Sequence, residues 1–198
     1  DAMPSNATLL IDDCHGVAAM GEGGRGVLTR AQIDPARVVL TTTLAKGVGA
    51  AGGVVVAPTD LIECARRHAS AYVCTTPIAP ALAMGAVAAI HAIDHEPWRL
   101  RRLQKLVHRL DEHCERLALT TPARRGAPIA AFTLGSGATM RRLHEELIAE
   151  QWLVPLIEYP NGPSERYFRL SVNADHTLDD LDQLFETIDA ARRDASKE

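Results

Sequence analysis

Five glycines crowd the eleven residues from Gly16 to Gly26, in the stretch IDDCHGVAAMGEGGRG that begins at Ile11. No helix or strand interior accommodates so many, because glycine gives up more backbone freedom on folding than any other residue. The segment is therefore a loop. The apolar run before it, Thr8-Leu9-Leu10-Ile11, reads as a short buried strand that ends in acid.

The same alternation continues along the chain. Val38-Val39-Leu40-Thr41 and Val54-Val55-Val56-Ala57 read as strands, the second closed by Pro58, with a loop over 46–53. Thr59-Asp60 starts a helix with Glu63 in its first turn, and Pro80 opens a helix of small residues to about Ile93. Glu96-Pro97 begins a longer one, in which Leu100, Leu103, Leu106, Val107, Leu110, Cys114 and Leu117 recur at helical spacing. Beyond Pro122, strands are expected over 129–134, 153–157 and 168–172, and helices over 139–151 and 178–191. This order predicts an α/β chain. Residues 1–95 would supply late strands of a mostly parallel sheet, 96–120 a linking helix, and 121–198 a small α+β domain. Taken by itself, such a chain leaves a cut sheet edge and exposed apolar surface, which a partner segment or a homodimer would cover.

Composition narrows the function. With 46% hydrophobic and 23% charged residues, the 198-residue chain can build an apolar core. A net charge of -4 without a basic block argues against a nucleic-acid surface, and 4% aromatics against a single-strand stacking platform. Cys14, Cys64, Cys74 and Cys114 are scattered and form no C-x-x-C pair, which suits reduced thiols in a cytoplasmic protein. There is no spanning apolar run and no signal-peptide pattern. Asp1 to Ala7 lead straight into a strand, so the sequence reads as beginning inside something larger.

Gly21-Glu22-Gly23-Gly24-Arg25-Gly26 fits G-x-G-x-x-G, yet eight residues separate it from the strand, and Pro35 interrupts the segment after Gly26. A dinucleotide fingerprint needs strand, glycines and helix in immediate succession. The strand-end acids Asp12 and Asp13 are more informative, since open α/β sheets place ligands at the carboxyl ends of strands. His15 lies within reach of the same ligand, although a capping acid and a surface histidine would look alike in sequence. Lys46 comes after Thr41-Thr42-Thr43 and precedes a glycine-rich loop, a pattern suited to a phosphate with an amine beside it, though no P-loop is present. An acid, a ring partner, a hydroxyl and an amine together suggest pyridoxal phosphate, an electron sink held by a lysine Schiff base. His91 and His95 are spaced as zinc ligands can be, but a third ligand is not apparent. Cys14 reads as a small residue next to this site.

Four stretches then carry a resemblance. They are LLIDDCHGVAAMGEGGRG, TTTLAKGVGAAGG, TTPIAPALA and FRLSVNADHTLDDLD, in that order. The chain resembles the C-terminal half of the α-oxoamine synthase family of fold-type I pyridoxal-phosphate enzymes. The resemblance implies the aspartate aminotransferase-like fold and condensation of an amino acid with an acyl-CoA thioester, usually with decarboxylation, in a homodimer with a shared active site. It further implies that Asp12 pairs with the pyridinium nitrogen, His15 with the ring hydroxyl and Thr43 with the phosphate. Lys46 would hold the cofactor and act as base. Arg169 would grip the amino-acid carboxylate, and Thr76, with Thr75 beside it, would reach the phosphate of the other subunit. Tyr167 stands where the family often has a second arginine, and Pro77 where it has a serine, so no particular substrate is implied. An aminotransferase or lyase of the same fold type, or a non-catalytic dimerisation partner, would share much of this pattern.

Overall fold

The computed structural model describes residues 4, 6–30, 33–119, 126–158 and 165–195. The chain divides into two compact units, Asp1–Leu100 and Arg101–Glu198. The position expected to open a second domain, residue 121, lies outside the described residues.

The first unit holds a three-stranded sheet in the order β1-β2-β3, made of β1 (Leu9–Asp12), β2 (Val38–Thr43) and β3 (Gly53–Val56). β1 and β2 are parallel, in a register that sets Asp12 opposite Thr41. β2 and β3 are antiparallel. That pair is the antiparallel one in a sheet expected to be mostly parallel, and the reason is length: a parallel return needs a crossover of a dozen or more residues. Here residues 44–52 fold straight back, with the Leu44 N–H donating to the Gly52 carbonyl at 2.9 Å. Two helices come next, α1 (Thr59–His68) and α2 (Pro80–His95), the latter with proline in its first turn. After Gly26 come only short 3-10 turns, at Val27–Arg30 and Pro35–Arg37. A pyrophosphate-holding helix is therefore not formed there among the described residues.

α3 spans Trp98–Arg116 and leads the chain into the second unit. There, β4 (Ile129–Phe132), β5 (Leu156–Ile157) and β6 (Tyr167–Ser171) form an antiparallel sheet in the order β4-β6-β5. Helices α4 (Gly137–Ala149) and α5 (Leu178–Ala195) complete it. Both helix starts are capped. Ser136 Oγ accepts from the Thr139 N–H at 3.2 Å. Thr177 and Asp180 exchange backbone-to-side-chain hydrogen bonds of 2.7 and 3.1 Å, a capping box with aspartate as its acid. The strand expected over 153–157 shrinks to two residues. Pro155 has no N–H to give a ladder, and its carbonyl accepts from the Arg169 N–H at 3.0 Å.

The apolar core is unevenly shared. One buried cluster runs from Leu106 to Ala191, around Leu110, Phe132, Leu143, Phe168, Phe185 and Ile188. The first unit instead exposes Leu10, Val55 and Val56 on its outer strands and Leu82, Met84 and Val87 on α2. No helix among the described residues is long and apolar enough to cross a membrane.

Candidate active site

Four of the expected site residues, Asp12, His15, Thr43 and Lys46, gather where β1 and β2 end side by side. Parallel pairing puts both carboxyl ends on the same edge, so Asp12 leaves β1 next to the Thr41-Thr42-Thr43 end of β2. The Asp13 N–H donates to the Thr41 carbonyl (2.9 Å), and the Thr42 hydroxyl donates to the Asp13 carbonyl (3.2 Å). These bonds join the two strand ends just where the glycine loop departs.

His15 and Lys46, thirty-one positions apart, meet there. Lys46 Nζ lies 3.1 Å from His15 Nε2. The Asp12 carboxylate accepts from the Cys14 N–H at 3.0 Å. Hydrogen bonds from the Cys14 thiol, and then from its N–H, hold Asp12 below its ordinary value of 3.8, with smaller help from the charges of Lys46 and His15. Asp12 is thus an anion through the neutral range. Cys14 moves the other way: its bond to the Asp12 carboxylate, and then desolvation, raise the thiol above 9.0. Thr43 sits at the start of the Lys46 turn. Its hydroxyl accepts from the Ala45 N–H (3.2 Å) and donates to the Gly52 carbonyl (3.3 Å).

The remaining expected residues lie elsewhere. Thr76 is exposed between α1 and α2 and makes no hydrogen bond with Asp12, His15, Thr43 or Lys46 among the described residues. Thr75, beside it, donates its hydroxyl to the Ala71 carbonyl at 2.8 Å. Arg169 stands half-buried on β6 in the second unit, paired with Ala131. Tyr167, two residues earlier, alternates onto the same strand face. His91 and His95 stack ring on ring, with centroids 3.8 Å apart.

Sequence reasoning left Asp13 without a role of its own. It is only 3% exposed, and its Oδ2 accepts from the Val27 N–H at 2.9 Å. A Cβ built on Gly16 or on Gly26 would come within 2.0 Å of this carboxylate. Gly26 also has φ +84°, which disfavours any side chain there. The loop glycines therefore clear space for a buried acid rather than for a pyrophosphate. The signal was present in sequence as an acid with glycines on both sides of the loop it begins.

Chemically, the cluster sets an amine against an imidazole, beside a carboxylate held anionic and a hydroxyl in the amine's own turn. Such a set can hold an aldehyde-bearing, phosphorylated, nitrogen-heterocyclic cofactor and can move protons at Nζ.

The sequence profile of the family described as aminotransferase class I and II matches residues 2–188. The 8-amino-7-oxononanoate synthase of Saccharophagus degradans is 31% identical over 199 residues, an alignment that takes in 100% of this chain and 50% of that protein. A serine palmitoyltransferase from Sphingomonas wittichii superposes with a TM-score of 0.84 at 26% identity, over 96% of this chain and 48% of that one. A structure of SPT with a PLP internal aldimine gives a TM-score of 0.82 at 23% identity, over 96% and 48% of the two chains. The fold is thus the one these fold-type I enzymes share. The chain spans about half the length of the curated relatives it matches.

Proposed function

The chain belongs to the aminotransferase class I and II family, and from that premise we propose a pyridoxal-phosphate-dependent acyltransferase, which joins an amino acid to the acyl group of a coenzyme A thioester, usually with decarboxylation. The single observation that carries the reading is the 3.1 Å approach of Lys46 Nζ to His15 Nε2 beside an anionic Asp12. The names of the relatives, 8-amino-7-oxononanoate synthase foremost, support the acyl-transfer chemistry.

When bound, pyridoxal phosphate supplies an electron sink for a carbanion at the amino acid's α-carbon. Asp12 would keep the ring nitrogen protonated by pairing its anionic carboxylate with it. His15 would bind the ring hydroxyl, and the Thr43 hydroxyl would bind the phosphate. Lys46 Nζ is the point of attachment. The same amine would be the base that takes the substrate's α-proton. Arg169 grips the substrate carboxylate through its planar fork. Thr76 reaches the phosphate held by the other copy of a homodimer. In this reading Asp1–Leu100 is the C-terminal part of a large cofactor-binding domain of a cytoplasmic enzyme, and Arg101–Glu198 a small α+β domain.

The test is chemical trapping. Pyridoxal phosphate is added, the adduct is reduced with borohydride, and the peptides are read by mass spectrometry. The adduct is expected on Lys46 and absent from Lys46→Ala. An adduct on another lysine of the wild type would sink the assignment. Turnover that needs an amino acid but no acyl-CoA would move the reaction to the aminotransferases or lyases.

A further inference from the structure

Asp13 is buried within the loop that carries His15, its carboxylate set against Gly16, Gly26 and Val27. Its carboxylate ties the end of the glycine loop to the loop's beginning: Oδ2 takes the Val27 N–H at 2.9 Å, while Gly16 and Gly26 pack directly on the carboxylate oxygens. Its carbonyl accepts from the N–H groups of Gly16 and Val17, both at 3.3 Å, which closes a tight turn around Cys14 and His15. The loop so held is the floor for the lysine segment. A Cβ on Gly47 would lie 2.5 Å from the Val17 carbonyl oxygen and 3.1 Å from the Ala18 side chain, so Gly47, the residue after Lys46, lies close against the loop. The backbone carbonyl of Asp13 thereby closes the turn that carries His15, and its buried carboxylate fixes where the rest of the loop lies against that turn.

We infer that Asp13 is a positioning residue, whose buried carboxylate clamps the 16–27 loop and so holds His15 beside Lys46 in the geometry that receives the cofactor. The inference rests on the cofactor reading above for its consequence, but not for its geometry. Asparagine keeps an acceptor for the Val27 N–H; alanine keeps none.

The experiment uses the full chain and two readouts. The first is a nuclear Overhauser contact between the His15 ring and the Lys46 side chain in cofactor-free protein selectively labelled at histidine and lysine. The second is the dissociation constant for pyridoxal phosphate. Asp13→Ala is expected to lose the contact and to weaken binding about tenfold or more, as befits loss of a hydrogen bond to a charged group. Asp13→Asn is expected to keep the contact and to bind within about threefold of the wild type. Should Asp13→Ala fail to fold, Asp13→Leu decides. It keeps the buried volume but offers the Val27 N–H no acceptor, and should reproduce the loss. Retention of contact and affinity in Asp13→Ala or Asp13→Leu overturns the inference. Equal loss in Asp13→Asn and Asp13→Ala overturns it too, since charge rather than the clamp would then matter. A wild type that binds no pyridoxal phosphate defeats the cofactor reading alone, and the Overhauser contact still decides the role of Asp13.

Discussion

Asp12 and Cys14 shift one another in opposite directions, so each reports on its neighbour. The thiol is raised above 9.0 by its bond to the carboxylate. Thiolate is the species that alkylates. Cys14 should therefore react with iodoacetamide at neutral pH more slowly than the exposed Cys64 and Cys74. Asp12→Asn removes the charge that holds the thiol proton, so alkylation of Cys14 should then quicken; a mass-spectrometric time course checks both rates. The reciprocal effect has a definite sign. The carboxyl of Asp12 is lowered from 3.8 by hydrogen bonds to its ionised form. What that pairing contributes to stability is present above 3.8 and is lost as pH falls through the lower folded value. Titration of the Asp12 carboxyl carbon by NMR should give a midpoint below 3.8, moving upward in Cys14→Ala. A midpoint that Cys14→Ala leaves in place would separate the two groups.

At the next scale, the second unit's helices depend on α3 and α5 closing against each other and on α5 starting cleanly. Asp182 on α5 accepts from His113 Nε2 (2.7 Å) and Arg109 Nε (3.0 Å) on α3, and the His113 ring stacks on Phe185 at 4.6 Å. Phe185 is fully buried. Phe185→Ala should cost about 3–5 kcal/mol, against about 1 kcal/mol for the cap deletion Thr177→Ala, both read from denaturant unfolding. Similar costs for the two would mean that the ring is not a packing centre. α3 and α5 were legible in sequence because apolar residues at helical spacing mark a buried stripe whatever it packs against. The direction of β3 was not, because Val54-Val55-Val56 reads the same in either pairing and the loop's return decides. In the site, Asp12, His15, Thr43 and Lys46 stood out by residue type next to strand ends. Asp13 did not, because an acid after an acid looks redundant until burial separates them: Asp12 is exposed and Asp13 is inside the loop.

Across the whole molecule, the two units differ in what holds them. The second encloses the buried cluster that runs from Leu106 to Ala191. In the first, both outer strands carry a row of backbone groups without a strand partner among the described residues, and Leu10, Val56 and Met84 face outward at 69%, 53% and 65% exposure. Apolar burial is the main favourable term in folding, so local opening should be easier where little is buried. Hydrogen exchange on this chain should thus release the amides of β1 and β3 well before those of β4 and β6. Ligand binding bears on this difference through mass action. A cofactor at one hundred times its dissociation constant stabilises the state that binds it by about 2.7 kcal/mol. The contacts proposed for pyridoxal phosphate within one copy's first unit lie at 12–15 and 43–46, with Thr76 reaching the phosphate of the other copy. Its addition should therefore slow exchange around the ends of β1 and β2 and in the glycine loop, while β4, β6 and α5 keep their rates. Uniform protection throughout the chain would instead mean that the units open together. No protection at the strand ends would mean that the cofactor is not seated where Asp12, His15 and Lys46 converge.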